Sequence, residues 1–323
     1  MLTLFVHEAE SLVTRFAGTI TPVRSSGTVM CLASAVAFGA MGIFGKLAYD
    51  EGATVGTLLT VRFALAAALF WAMTRPREVR ALHRRDVALA LGLGAVGYAA
   101  QAGCYFSALE RIDASLLALI LYTFPAMVAV AAIVLGRELV DARKLVALAL
   151  ASGGLSLVVA GAGAGTLEPV GVAFGLAAAV VYTAYILVGD GVSRRIPARV
   201  LSTLVCTGAA AMLAGGSAAL GELRPGDLTA AGWGWLGCLA VVSTVVSISL
   251  FFAGLRRVGP TTASILSTLE PVATVVLAFL AFGETMSGVQ LAGGALVIGA
   301  VLVMQAPRPV LTMPGRIRAT ARP

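Results

Sequence analysis

The sequence predicts an all-α integral membrane protein: ten transmembrane helices in two inverted five-helix repeats, with both termini cytoplasmic. Three observations predict it. The first is composition. Of 323 residues, 59% are hydrophobic and 12% charged, with a mean hydropathy of +0.95, whereas a soluble domain carries about 25% charged residues. That leaves too little polar surface to cover a water-soluble globule. The second is a duplication: residues 109–138 and 255–284 match at an offset of 146. Leu109-x-Arg111 aligns with Leu255-x-Arg257, Ser115 with Thr261, Pro125 with Pro271 and Glu138 with Glu284. The third is the distribution of basic residues, which fixes direction.

In chain order, residues 1–27 lack the basic n-region of a signal peptide. Phe5, Ala9, Leu12, Val13 and Phe16 have helical spacing, consistent with a helix on the membrane surface or with a cytoplasmic extension. Ten apolar runs follow, at 28–49, 55–74, 87–109, 114–136, 145–163, 170–189, 200–219, 232–253, 261–282 and 288–306. Each approaches the length needed to span a hydrocarbon core of roughly 30 Å. Arg75-Pro76-Arg77 and Arg224-Pro225-Gly226-Asp227 punctuate the gaps. The connection Glu110–Asp113 is so short that the third and fourth runs must be antiparallel neighbours. Residues 28–163 form the first repeat, 170–306 the second, and 307–323 a basic cytoplasmic tail.

With the N-terminus inside, 19 of the 23 lysines and arginines fall on cytoplasmic segments. Lys46, Arg111 and Arg224 fall outside, and Arg62 lies within the second run. This asymmetry orients the chain. A repeat of five spans must invert, so the fourth and ninth runs bring Pro125 and Pro271 to mid-membrane from opposite directions. Inverted repeats with interrupted helices at the midplane are the architecture of many secondary transporters.

Composition also excludes. Cys31, Cys104, Cys206 and Cys238 all lie in apolar runs, with no CxxC or Cys/His cluster, so no metal or cofactor is expected. His7 and His83 lie outside the runs, which removes Ser-His and zinc chemistry from the membrane interior. The net charge of +7 comes from arginines in short loops, a topology signal rather than a nucleic-acid surface. No Gly-Lys-Ser/Thr phosphate cradle is present, which disfavours ATP-driven pumping.

The paired apolar helices ending in Gly136-x-Glu138 and Gly283-Glu284, the Glu270-Pro271 step and the Arg62-Phe63 step resemble the drug/metabolite transporter superfamily. More narrowly, they resemble its EamA family of ten-span bacterial permeases, over roughly residues 30–305. The resemblance implies a secondary transporter of the inner membrane, commonly an exporter of amino acids or related metabolites. It names no substrate.

Candidate site residues follow from cost. Glu270 is the one carboxylate near the middle of any span, and a charge there costs about 2.5–3.5 kcal/mol on insertion scales. Its counterpart in the first repeat is Phe124. Glu270 reads as a site for a proton or a substrate ammonium, or as a structural acid bonded to backbone loosened by Pro271. Arg62 cannot shed its charge, so it needs an anion, a carbonyl or water. It reads as a ligand for a substrate carboxylate, as a partner of Glu270 or of helix-end carbonyls, or as a snorkelling side chain.

Pro125 and Pro271 free the carbonyls of Leu121 and Ser267, and a freed carbonyl in lipid needs a partner or a cavity. Tyr98, Gln101 and Tyr105 share a face of the third run. Tyr182 and Tyr185 sit together in the sixth, the inverted partner of the first, where Phe38 lies close to the equivalent place. Tyr122 precedes Pro125, and Ser264, Ser267 and Thr268 lead up to Glu270. All are expected to face a central cavity. Lys46, Trp71, Trp233 and Trp235 read as interfacial anchors. Gly39, Gly42, Gly45, Gly293, Gly294 and Gly299 read as helix-packing positions.

The leading expectation is therefore a proton-coupled transporter of a small molecule, embedded in lipid. An uncoupled facilitator shares every feature above. A membrane enzyme lacks a second carboxylate or an intramembrane histidine, and a receptor or assembly factor does not need an inverted, kinked core. Oligomeric state and substrate identity are not written in these residues.

Overall fold

Long apolar runs separated by charged or Gly/Pro breaks become helices joined by tight turns. The computed structural model describes residues 22–135, 142–161, 168–193, 195–258, 266–267 and 269–305. Helix α1 is Pro22–Gly39 and Met41–Asp50, interrupted at Ala40; α2 is Val55–Met73; α3 is Arg84–Leu109. Helix α4 is Ala114–Leu121 and Phe124–Val134; α5 is Ala142–Gly161; α6 is Pro169–Ser193; α7 is Ala198–Ala219. Helix α8 is Ala230–Val258, α9 Leu269–Phe282 and α10 Gly288–Gln305. Six of these (α1, α2, α3, α6, α7 and α8) are long and apolar enough to cross a membrane, and α4, α5, α9 and α10 contain shorter apolar helices. No strand occurs among the described residues. The surface helix expected in residues 1–27, Glu138, Thr261, Ser264, Thr268 and the basic tail lie wholly or mainly outside the described residues.

Several boundaries differ from expectation, each for a local reason. Arg256 and Arg257 continue α8 instead of ending it, because cations are favourable in a last helical turn. A one-turn helix, Pro76–Arg80, forms where a plain loop was expected. It is started by proline and by the Glu78 carboxylate accepting from the Arg75 amide at 3.0 Å. The fourth run is two helices rather than one kinked helix. The chain turns at Tyr122 and Thr123, and the Thr123 hydroxyl donates to the Ile120 carbonyl at 2.7 Å.

Packing follows a regular exchange. Helix α2 packs on α7, α5 on α10 and α4 on α9, while α1 packs on α8 and α9 as α6 packs on α3 and α4. Adding five to every helix number returns the same pairs. The α5–α10 crossing is so close that a Cβ on Gly154 would lie 2.7 Å from the Gly293 carbonyl, and one on Gly293 would lie 2.6 Å from the Gly154 carbonyl. Gly299, expected to pack similarly, meets nothing within 4 Å.

Both α3 and α8 contain a π-helical turn, Leu93–Tyr98 and Val241–Val246. Such turns are rare and concentrate at functional sites. They occupy matching places in partner helices, and nothing in the hydropathy pattern announced them.

One end of the bundle is laced together. The α1–α2, α3–α4, α7–α8 and α9–α10 connections meet there, together with Gly161 at the end of α5 and Glu168 just before α6. Thr229 donates to Glu51, Arg111 lies 3.6 Å from Glu168, and the Thr57 hydroxyl accepts from the Arg224 amide at 2.8 Å. Lys46 sits 2.9 Å from Glu284 and 3.5 Å from Asp113. At the opposite end Arg199 pairs with Glu78 at 2.8 Å and Arg195 approaches Asp86 at 3.5 Å.

Candidate functional site

The π turn of α3, the break in α4 and the first turn of α9 converge on one cavity of about 490 Å³. Five of the six tyrosines in the chain contribute except Tyr49, together with Phe38, Gln101 and Ser267. Glu270 and Arg62 are the two ionisable carboxylate or guanidinium groups on its wall. The described candidate side chains therefore border a single space, apart from Pro125 and Pro271, while Ser264 and Thr268 lie outside the described residues. Ala198, Leu201 and Ser202 at the start of α7, with Phe251 and Phe252 near the end of α8, also line it. The cavity thus extends from mid-bundle towards the end that carries Arg195 and Arg199, away from the laced end.

Glu270 stands in the first turn of α9, next to Pro271. Pro271 has no N–H to give Ser267, and the Ser267 carbonyl instead accepts from the Tyr122 hydroxyl at 2.8 Å. The same hydroxyl is 3.0 Å from Oε2 of Glu270. The expectation that a freed carbonyl needs a partner is met here by a side chain from α4. Helix α1 closes this corner: a Cβ at Gly39 would lie 2.9 Å from the Glu270 carbonyl, and Thr274 donates to the Gly39 carbonyl at 3.1 Å.

Arg62 is 2% exposed and reaches a different set of partners. Its Nε donates to the Thr244 hydroxyl at 3.0 Å, inside the π turn of α8. Its guanidinium carbon lies 5.0 Å from the Phe63 ring centroid and 5.3 Å from that of Phe106. Among the described residues there is no ion pair between Arg62 and Glu270. Thr244, together with Ser34 and Ser247 behind it, escaped the sequence reading. Ser34 donates to the Ser247 carbonyl at 2.7 Å and Ser247 to the Thr244 carbonyl at 3.1 Å. Three hydroxyls at 243, 244 and 247 in an otherwise apolar run were the available signal.

Aromatic rings connect the two charges in an unbroken series. Phe63 meets Tyr98 at 4.9 Å, Tyr98 meets Tyr185 at 5.7 Å, and Tyr185 meets Tyr182 at 6.1 Å between centroids. Tyr182 meets Phe124 at 4.6 Å, and Phe124 meets Tyr122 at 5.9 Å. Phe124, the residue that replaces the acid in the first repeat, is the ring nearest the acid's own partner.

A sequence model of the EamA-like transporter family matches residues 25–160 and again 169–305. The chain belongs to the EamA-like transporter family. Two relatives agree with that membership. An uncharacterized transporter of Archaeoglobus fulgidus is 29% identical over 278 residues, covering 86% of this chain and 95% of its own. The uncharacterized transporter YcbK of Bacillus subtilis is 27% identical over 278 residues, covering 83% and 89%. A solved crystal structure superimposes with a TM-score of 0.60 at 19% identity, over 87% of this chain and 96% of that one, and so shares the fold. This EamA-like protein is a multi-pass membrane transporter.

Two supporting residues have partners that their sequence reading did not name. Lys46, expected to anchor at the interface, is half-buried and ion-paired. Glu284, read only as the end of a run, caps α4: it accepts from the Ala114 amide at 3.3 Å, the Ser115 amide at 3.1 Å and the Ser115 hydroxyl at 2.8 Å. Asp113, the residue preceding α4, makes no side-chain cap of its own. Trp71 donates to the Thr207 hydroxyl at 3.0 Å and Trp235 stacks on Phe44, so both pack on neighbouring helices.

Proposed function

We propose that the protein is a proton-coupled secondary transporter that exports a small metabolite, an amino acid or related compound, across the cytoplasmic membrane by alternating access. In this reading ten helices span the bilayer as two inverted repeats, residues 28–163 and 170–306, with both termini inside. The five-number exchange of packing pairs and the matched π turns support the repeat, and the 19 basic residues support the direction. The laced end then faces outwards, and the cavity reaches towards the cytoplasm.

The observation that carries the coupling is the shared hydroxyl of Tyr122. One O–H has one proton to give, and two acceptors compete for it. When Glu270 is protonated, its O–H donates to the Tyr122 oxygen and Tyr122 donates to Ser267. When Glu270 is ionised, Tyr122 turns its proton to the carboxylate, and the Ser267 carbonyl loses that donor. Loading or releasing one proton therefore changes how α4 of one repeat holds α9 of the other. A proton-sensitive bond between the two moving halves is what coupling requires, because an effector shifts an equilibrium only through a differential interaction.

The test is flux in proteoliposomes under an imposed pH gradient. Wild type is expected to accumulate substrate against its gradient, and Glu270→Gln to lose that accumulation. Flux that ignores the pH gradient in wild type would instead identify an uncoupled facilitator.

A further inference from the structure

The two charges on the cavity wall are not equally available to a ligand. Arg62 already has the Thr244 hydroxyl on Nε and two ring faces against its guanidinium, and it is almost wholly buried. Glu270 has Tyr122 on Oε2, and among the described residues Oε1 has no hydrogen-bond partner. The aromatic series leads to that carboxylate and ends on Phe124 and Tyr122. A ring face carries partial negative charge, so it attracts a cation and disfavours a carboxylate laid against it. A cavity of about 490 Å³ falls in the range that encloses a molecule of one or two rings.

We propose that the substrate is a cationic aromatic amine, its ammonium on Oε1 of Glu270 and its ring against Phe124 and Tyr182. A carboxylate is not part of the recognised group. This inference rests on the transporter reading above and narrows it: an α-amino acid brings a carboxylate within a few ångströms of its ammonium, into a corner whose neighbours are a second carboxylate and π faces. The symmetry break between the repeats has the same sense. One copy supplies the anion, Glu270, and the other supplies the ring, Phe124, that faces it across Tyr122.

The experiment compares four probes that share a scaffold, using the purified full-length protein and either thermal shift or calorimetry. They are 2-phenylethylamine (ring and cation), phenylalanine (ring and zwitterion), 3-phenylpropionate (ring and anion) and butylamine (cation alone). The expected order places 2-phenylethylamine first, with each other probe at least tenfold weaker. Glu270→Gln should weaken 2-phenylethylamine at least tenfold. Phe124→Leu should narrow the gap between 2-phenylethylamine and butylamine, which a merely folded but inert variant would not do selectively. Size-exclusion profiles identify any variant that fails to fold, and Phe124→Leu, which leaves the carboxylate in place, then carries the test.

Equal or tighter binding of phenylalanine or 3-phenylpropionate overturns the inference, as does an undiminished response in Glu270→Gln. Binding of none of the four also overturns it. The transporter reading stands or falls separately. If a carboxylate-bearing probe is the one bound and moved into proteoliposomes, the substrate class is wrong and the transporter survives. If no gradient-driven flux occurs with a broad metabolite mixture, the transporter reading itself fails.

Discussion

Replacing Glu284 by glutamine tests the clamp at the laced end. Its carboxylate, 8% exposed, receives the Lys46 ammonium and three donors at the start of α4. Glutamine keeps the shape and one acceptor but loses the charge. A hydrogen bond to a charged group contributes about 1.5–3 kcal/mol, and a negative charge at a helix N-terminus about 0.3–1 kcal/mol. These overlap, so about 2–3 kcal/mol is the expected loss, which is a factor of about 30–150 in the equilibrium between clamped and released ends. Hydrogen exchange at the Ala114 and Ser115 amides should accelerate by that factor, and an engineered cysteine near the clamp should become more reactive.

The effect should also depend on pH in a defined sense. Burial alone would raise the Glu284 carboxyl, but the Lys46 ammonium and the Ser115 hydroxyl and amide outweigh it and hold it below its ordinary 4.5. A lowered pKa contributes stability that is complete above pH 4.5 and is lost as pH falls through the lowered value. Wild type and Glu284→Gln should therefore differ between pH 6 and 8 and converge in strong acid. Unchanged exchange at Ala114 and Ser115 at pH 7 would refute the clamp.

Further substitutions probe the remaining contacts. Tyr122→Phe removes the hydroxyl shared by Ser267 and Glu270, and should lower stability by about 1–3 kcal/mol and uncouple flux from the pH gradient. Thr244→Val leaves Arg62 without its Nε acceptor and should lower the melting temperature, whereas Thr60→Val, where the buried hydroxyl has no partner, should not. Gly154→Val forces a side chain into the α10 backbone at Gly293 and should cost at least about 1–3 kcal/mol, while Gly299→Ala, with open space around it, should be close to neutral.

The sequence yielded what depends on period, count and composition. Ten runs, their breaks and the duplicated Arg–Pro–Glu frame are local features, and Glu270 stood out because an acid is expensive where it stands. It also put Tyr98, Gln101 and Tyr105 on one face of the third run, and all three border the cavity. Partners across the bundle were not legible. Nothing in the Arg62-Phe63 step points to Thr244, 182 positions away, because the match depends on how α2 meets α8. Lys46 and Glu284 each looked like an ordinary helix end, and only their meeting at 2.9 Å with the bare start of α4 gives them a shared task. Glu138 and Thr261, the counterparts by alignment of Glu284 and Ser115, lie outside the described residues.

The π turns in α3 and α8 each store one residue of chain. A π turn holds one residue more than an α turn over nearly the same rotation, so removing a single residue from 93–97 would restore regular helix and leave the two halves of α3 in phase. Tyr98, Gln101 and Tyr105 would keep the face that borders the cavity. Removing a residue elsewhere in α3 meets no such slack and would rotate one half against the other by about 100°. The same holds for Val241–Val246 in α8. Chain length is therefore less constrained at these two turns than in the regular parts of the same helices. One-residue gaps should be tolerated in the connecting loops and at these turns, and rejected elsewhere in α3 and α8, even where every substituted residue is apolar.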